Sequence, residues 1–178
     1  MKNLLKEKLI PIIGLSILVV VLIVSTVLLL VKNVGKTTLK IESKTAIPGD
    51  EISLPIIIDK NHGIFSGQIV VAYNSSALEF LSCENGEVFD ECDVHVLPES
   101  DTLVILAEQI TKFENTKVDG VLATLKFKVR SGAKKGTYPI SFHLPETVED
   151  GTYFLRVQDI DSEKWTVPKC TNGKIVVQ

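Results

Sequence analysis

The sequence predicts an all-β domain, a sandwich of two antiparallel sheets, preceded by one N-terminal membrane-spanning helix. Three observations carry this. Beyond residue 36, short segments alternate apolar and polar residues with period two, the period of a strand that buries one face. Gly, Pro, Asn and Asp punctuate those segments, as turns between short strands require. Before residue 36 the pattern is different: a long apolar run with lysines at both ends.

That run, Leu9 to Val31, is broken only by Pro11, Gly14, Ser16, Ser25 and Thr26. At about 1.5 Å per residue it makes roughly 34 Å of helix, enough for a hydrocarbon core of about 30 Å. Pro11 falls in the first turn, where a missing N–H costs little. Lys2, Lys6 and Lys8 precede the run; Lys32 and Lys36 follow it. The positive-inside rule then keeps residues 1–8 in the cytoplasm and puts a linker (32–38) and the domain (39–178) outside. The expectation is a single-pass signal-anchor in the cell membrane. The alternative is a cleaved signal peptide, whose apolar region normally spans about 7–15 residues and ends at a small-x-small site. This run is longer, and Leu28 to Asn33 holds no such site.

The strands follow in order. Leu39 and Ile41 alternate with Lys40 and Glu42, and Ile47-Pro48-Gly49-Asp50 is a turn signal. Ile52, Leu54, Ile56 and Ile58 share one face. From Ser66, Ile69, Val71 and Tyr73 fall on one side and Gln68, Val70 and Ala72 on the other. That second side is more apolar than solvent alone requires, which points to a partner. Asn74-Ser75-Ser76 turns the chain, and Leu78, Phe80 and Leu81 resume. Residues 110–118 have room for one helical turn. Val121, Ala123, Leu125, Phe127 and Val129 face away from Thr124, Lys126 and Lys128; Tyr138, Ile140 and Phe142 alternate next. Residues 146–169 predict an extra hairpin or flap, with Trp165 sealing one end of the core. Thr171-Asn172-Gly173 leads into a last strand, 174–177.

Composition excludes several functions. The first 36 residues hold five lysines and one glutamate, leaving 14 basic and 21 acidic residues, a net charge of −7, for residues 37–178. Such a domain does not suit the phosphates of nucleic acid. His62, His95 and His143 lie far apart and match no zinc spacing. Asp159-Ile160-Asp161 resembles the start of a calcium loop but lacks the Gly and distant Glu of an EF-hand. There is no Gly-x-Ser-x-Gly elbow, phosphate loop or dinucleotide fingerprint. No catalyst, metal or cofactor is expected; surface binding remains. Cys83 and Cys92 flank a loop, and both a bridge between them and three free thiols, with Cys170, stay open.

Several segments together resemble the cohesins, the modules that hold dockerin-bearing enzymes in cellulosomes. Pro48-Gly49-Asp50 before an apolar strand resembles the family's opening. Tyr73-Asn74-Ser75-Ser76-Ala77-Leu78-Glu79 is similar to its Tyr-Asp…Leu-Glu segment, with Asn in the place of Asp. Val104-Ile105-Leu106-Ala107-Glu108 resembles its Ala-Glu strand. Asp119 to Val129 is similar to its Asp-Gly-x-Leu-Ala strand, and Asn172 to Val177 to its last. The resemblance implies a nine-stranded jelly-roll sandwich on a bacterial cell surface that binds a dockerin through one sheet face. By position, the contacts it implies are Ser66, Gln68, Val70 and Ala72, with Ile105 and Glu108. Ile105 and Glu108 differ in parity and share a face only if their strand bulges or ends near Ala107. The calcium tied to this recognition would belong to the dockerin. Two other readings stand beside it. One is a carbohydrate-binding sandwich using Tyr153, Phe154 and Trp165 on a polysaccharide; the other is a structural domain of a membrane assembly.

Overall fold

Strands form where alternation is strongest. The computed structural model describes residues 36–97, 100–144, 151–161 and 164–178; the membrane helix expected over 9–31 and its flanks through residue 35 lie outside them. β1 (Thr38–Ile41) and β2 (Lys44–Ala46) lead to a type II turn. In it the Asp50 amide donates to the Ile47 carbonyl at 3.1 Å, and Gly49 takes the positive φ of 97° that this turn demands. β3 (Glu51–Asp59) then buries Ile52, Leu54, Ile56 and Ile58, as the alternation predicts. Pro55 sits within it, but β1 begins to pair only at Ile56, so the missing N–H falls beyond the end of that ladder.

β4 (Ser66–Ala72) and β5 (Leu78–Asn85) enter opposite sheets. Next come β6 (Glu91–Leu97), β7 (Thr102–Glu108), β8 (Gly120–Val129) and β9 (Gly136–Phe142). The last three are β10 (Tyr153–Leu155), β11 (Lys169–Thr171) and β12 (Gly173–Val177). One sheet runs β11-β1-β3-β8-β5. The other runs β2-β12-β9-β4-β7-β6, with β10 also against β4. Their inner faces share one core, in which Leu39, Leu54 and Phe127 meet Ile69, Ile105 and Phe154.

The sandwich departs from expectation in five places. Among the described residues twelve strands replace nine; the three-residue β2, β10 and β11 account for the difference. Two pairings, β1 with β11 and β2 with β12, are parallel. In β8 the buried residue is Leu122 rather than Val121, because the register skips Leu122 between Ile56–Ala123 and Ile57–Val121. Such an irregularity turns one extra side chain. Residues 110–118 hold no helical turn; a 3-10 turn occurs at Val157–Asp159, where Arg156 Nε meets Asp159 Oδ2 at 2.5 Å. Finally, Phe154 and not Trp165 enters the core from the β10 region. All three cysteines are free thiols, half-buried against the core, and desolvation pushes Cys83 up to about 11 and Cys92 and Cys170 up to about 12.

Candidate binding face

The outer face of β4, β7 and β6 is built by register. β4 and β7 pair without a break, setting Ser66 opposite Glu108, Gln68 opposite Leu106, Val70 opposite Val104 and Ala72 opposite Thr102. β6 continues each row with Glu91, Asp93, His95 and Leu97. Period-two alternation puts these twelve side chains on one side, because Ile69, Val71, Leu103, Ile105 and Ala107 are buried on the other. The rows are graded. Apolar groups crowd the Val70 and Ala72 end, and carboxylates gather at the Ser66 end.

Ser66, Gln68, Val70, Ala72 and Glu108 therefore stand on one surface. Ile105 does not. It is 0% exposed; the unbroken β4–β7 register leaves no bulge to bring it round to the side of Glu108, and β7 runs on through Glu108 rather than ending at Ala107. The partner-contact role expected of Ile105 is replaced by a core role. Its neighbours Val104 and Leu106 hold the outer positions, and Leu106 is 42% exposed. The sequence signal for them was the parity of Glu108.

Val70 lies deeper than its alternation implies, at 6% exposure. Across from β7, β4 is flanked by two strands in turn: β10 pairs with residues 66–68 and β9 with residues 71–72. Val70 falls at the seam. The Thr152 hydroxyl supplies the missing rung, accepting from the Val70 amide at 3.0 Å and donating to its carbonyl at 3.3 Å. The His143 amide also donates to that carbonyl, at 2.8 Å. These bonds from Thr152 and His143 satisfy the Val70 backbone at the seam.

Two shallow clefts share Gln68. One, of about 360 Å³, has Val70, Ala72, Leu97, Thr102, Val104 and His143 around it. The other, also about 360 Å³, is bordered by Glu91, Asp93, Leu106, Glu108, Tyr153 and Trp165. Tyr153 and Trp165 meet edge to face with centroids 4.4 Å apart and planes at 63°. Burial raises the Tyr153 phenol above its ordinary value, so it remains a donor at neutral pH. Phe154 is fully buried, so the three-aromatic row that polysaccharide binding would use does not form. The remaining pair is not coplanar. Beyond β7, Asp90 Oδ2 takes the amides of Ile110 and Thr111, both at 2.9 Å, and the Thr111 hydroxyl at 2.7 Å. Those Thr111 bonds hold the Asp90 carboxyl below its usual range.

Comparison with known proteins adds to this geometry. The family model described as "Cohesin domain" matches residues 37–165. The chain is 33% identical over 112 residues to cellulosomal-scaffolding protein A of Acetivibrio thermocellus, covering 57% of this chain and 6% of that protein's length. Two solved structures share the fold. The cohesin of a type I cohesin–dockerin complex from Clostridium thermocellum has a TM-score of 0.67 at 21% identity, covering 81% of this chain and all of that one. A non-cellulosomal cohesin from the archaeon Archaeoglobus fulgidus has a TM-score of 0.64 at 17% identity, covering 81% and 92%.

Proposed function

The chain belongs to the cohesin family of non-catalytic binding modules, and from that premise we propose that the outer face of β4, β7 and β6 captures a dockerin-bearing protein. One observation carries the assignment of the face. In an unbroken register, Val70, Ala72, Val104 and Leu106 form a continuous apolar patch, with Thr102 beside Ala72 and with Ser66, Gln68 and Glu108 toward the other end. An apolar patch that excludes water, flanked by polar groups, is the anatomy of a protein–protein interface, where few side chains supply most of the affinity. A helix laid across the rows meets Leu106 and Ala72 directly and covers the cleft floored by Val70. The relative with the solved dockerin complex has this fold, and the scaffolding protein belongs to a cellulosome. Both support a role in assembling or anchoring enzymes.

Residues 9–31 make this a cell-surface module in our reading, a single-pass anchor with the sandwich outside the membrane. Retention of the chain in the pellet after alkaline carbonate extraction is the expected result; release into the supernatant would remove the anchor. Calcium is assigned to the dockerin side of the complex. The function is tested by size-exclusion chromatography of the full chain, in mild detergent, with purified dockerin modules. Co-elution with calcium and separation after chelation are expected. Separate elution of every dockerin in both conditions would overturn the reading.

A further inference from the structure

We propose that the end of the sandwich closed by residues 110–118 sits against the lipid bilayer, with Phe113 and Ile110 at the level of the headgroups. This rests on the anchor reading above and names the surface by which the anchored domain meets the membrane. Phe113 is 72% exposed, more than any other large apolar side chain among the described residues, and Ile110 and Val118 are 58% and 48% exposed. Single apolar residues scattered on a surface need no explanation; three in one short segment do. The segment is bonded to its neighbours. Ile64 and Thr116 exchange amide–carbonyl bonds at 3.0 and 2.7 Å, and the Asn61 side-chain amide donates to the Val118 carbonyl at 3.0 Å. The Phe113 ring meets Phe65 edge to face, with centroids 4.9 Å apart, and leaves the rest of its surface bare.

The course of the chain points to what covers this patch. Thr38 pairs with Asp59 at the end of β3, Ile58 lies opposite Gly120 at the start of β8, and the Lys169 amide donates to the Thr37 carbonyl at 2.9 Å. The chain therefore enters the sandwich at the end that residues 110–118 close on their way into β8. In the anchor reading the apolar run stops at Val31, and residues 32–37 reach about 20 Å at full stretch. That tether keeps this end near the bilayer. The Ile47–Asp50 turn lies at the other end of the nine-residue β3, about 30 Å further out. A bilayer interface takes up aromatic and aliphatic side chains at headgroup level and draws lysines to its phosphates. Lys60, next to Asn61, and Lys117 form no ion pair among the described residues. The acids close by are engaged: Glu114 meets Lys112 at 3.6 Å, and Asp119 takes the Asn61 amide at 2.8 Å. Seated in this way, the domain holds the Ser66–Glu108 row nearest the lipid and the Ala72–Thr102 row furthest from it. The docking face then stands at the side, open to a partner.

Lipids with brominated acyl chains quench an indole on contact and test this seat. The full chain is reconstituted into vesicles of phosphatidylcholine and phosphatidylglycerol, with Trp165→Phe removing its only tryptophan. One indole is then introduced, at the seat by Phe113→Trp or at the far end by Ile47→Trp; both positions are exposed, so neither change disturbs the core. Brominated lipid should quench the Phe113→Trp protein and leave the Ile47→Trp protein as bright as in ordinary lipid. Emission of the Phe113→Trp protein should also lie further to the blue in vesicles than that of the Ile47→Trp protein. Equal quenching of the two proteins, or of neither, in chains that float with the vesicles would overturn the seat and leave the anchor standing. A blue shift without quenching that grows with protein density would assign the patch to a second copy of the chain, and would also overturn the seat. Chains that do not float with the vesicles would overturn the anchor and the seat together.

Discussion

Ile105 and Leu106 are neighbours in sequence with opposite jobs. Ile105 is sealed in the core beside Ile69, while Leu106 stands in the open beside Gln68. Truncation should separate the two roles. Ile105→Ala removes buried methylenes and leaves a cavity, which costs about 2–5 kcal/mol of stability. The molecules that stay folded should bind dockerin as before. Leu106→Ala should leave the melting temperature within a degree or two and weaken dockerin binding by about 1 kcal/mol or more, roughly fivefold. Denaturant melts and titrations of both variants check this, and the reverse pattern would place the face on the other side of β7. The residue scale also shows what a sequence can hide. Glu108 and Ile105 were both candidates, and only an unbroken register rules out the bulge that would have let both serve.

At the scale of elements, the face depends on β10, a three-residue strand inside the region where the sequence predicts an extra hairpin, though nothing in the sequence names its partner. Three residues give one and a half periods of alternation, and the pairing with β4 is a tertiary event. Gly67 makes that pairing possible. A Cβ there would lie 2.3 Å from Phe154 Cδ1 and 2.7 Å from the Tyr153 carbonyl, well inside contact distance. Gly67→Ala should therefore push β10 away, shift the Trp165 emission and cost about 1–3 kcal/mol. Unchanged emission and stability would mean that β10 is not seated as described. The long strands were legible for the converse reason. β3 runs nine residues and β8 ten, and each shows its buried face several times over. β6 was missed because it is an edge strand. Asp93, His95 and Leu97 are exposed and Cys92 and Val94 only partly covered, so hydrophobicity hardly alternates along it.

For the molecule as a whole, the order of its segments was enough to indicate a two-sheet sandwich. What sequence could not supply was how the sheets close at their margins. The parallel β1–β11 and β2–β12 pairs join residues more than a hundred positions apart, and no local pattern encodes them. The same limit applied to the cleft. Glu91 and Tyr153 are remote in sequence, and they border it together only because β6, β7, β4 and β10 lie in that order. The central claim is that the outer surface of β4, β7 and β6 is the docking face. Calorimetric titration of the full chain with dockerin modules in calcium tests it most directly, comparing the parent with Val70→Glu and Ala72→Arg. The account predicts one-to-one binding by the parent and a loss of about 2 kcal/mol or more, roughly thirtyfold, in each variant that remains folded. Unchanged affinity in both variants would contradict it.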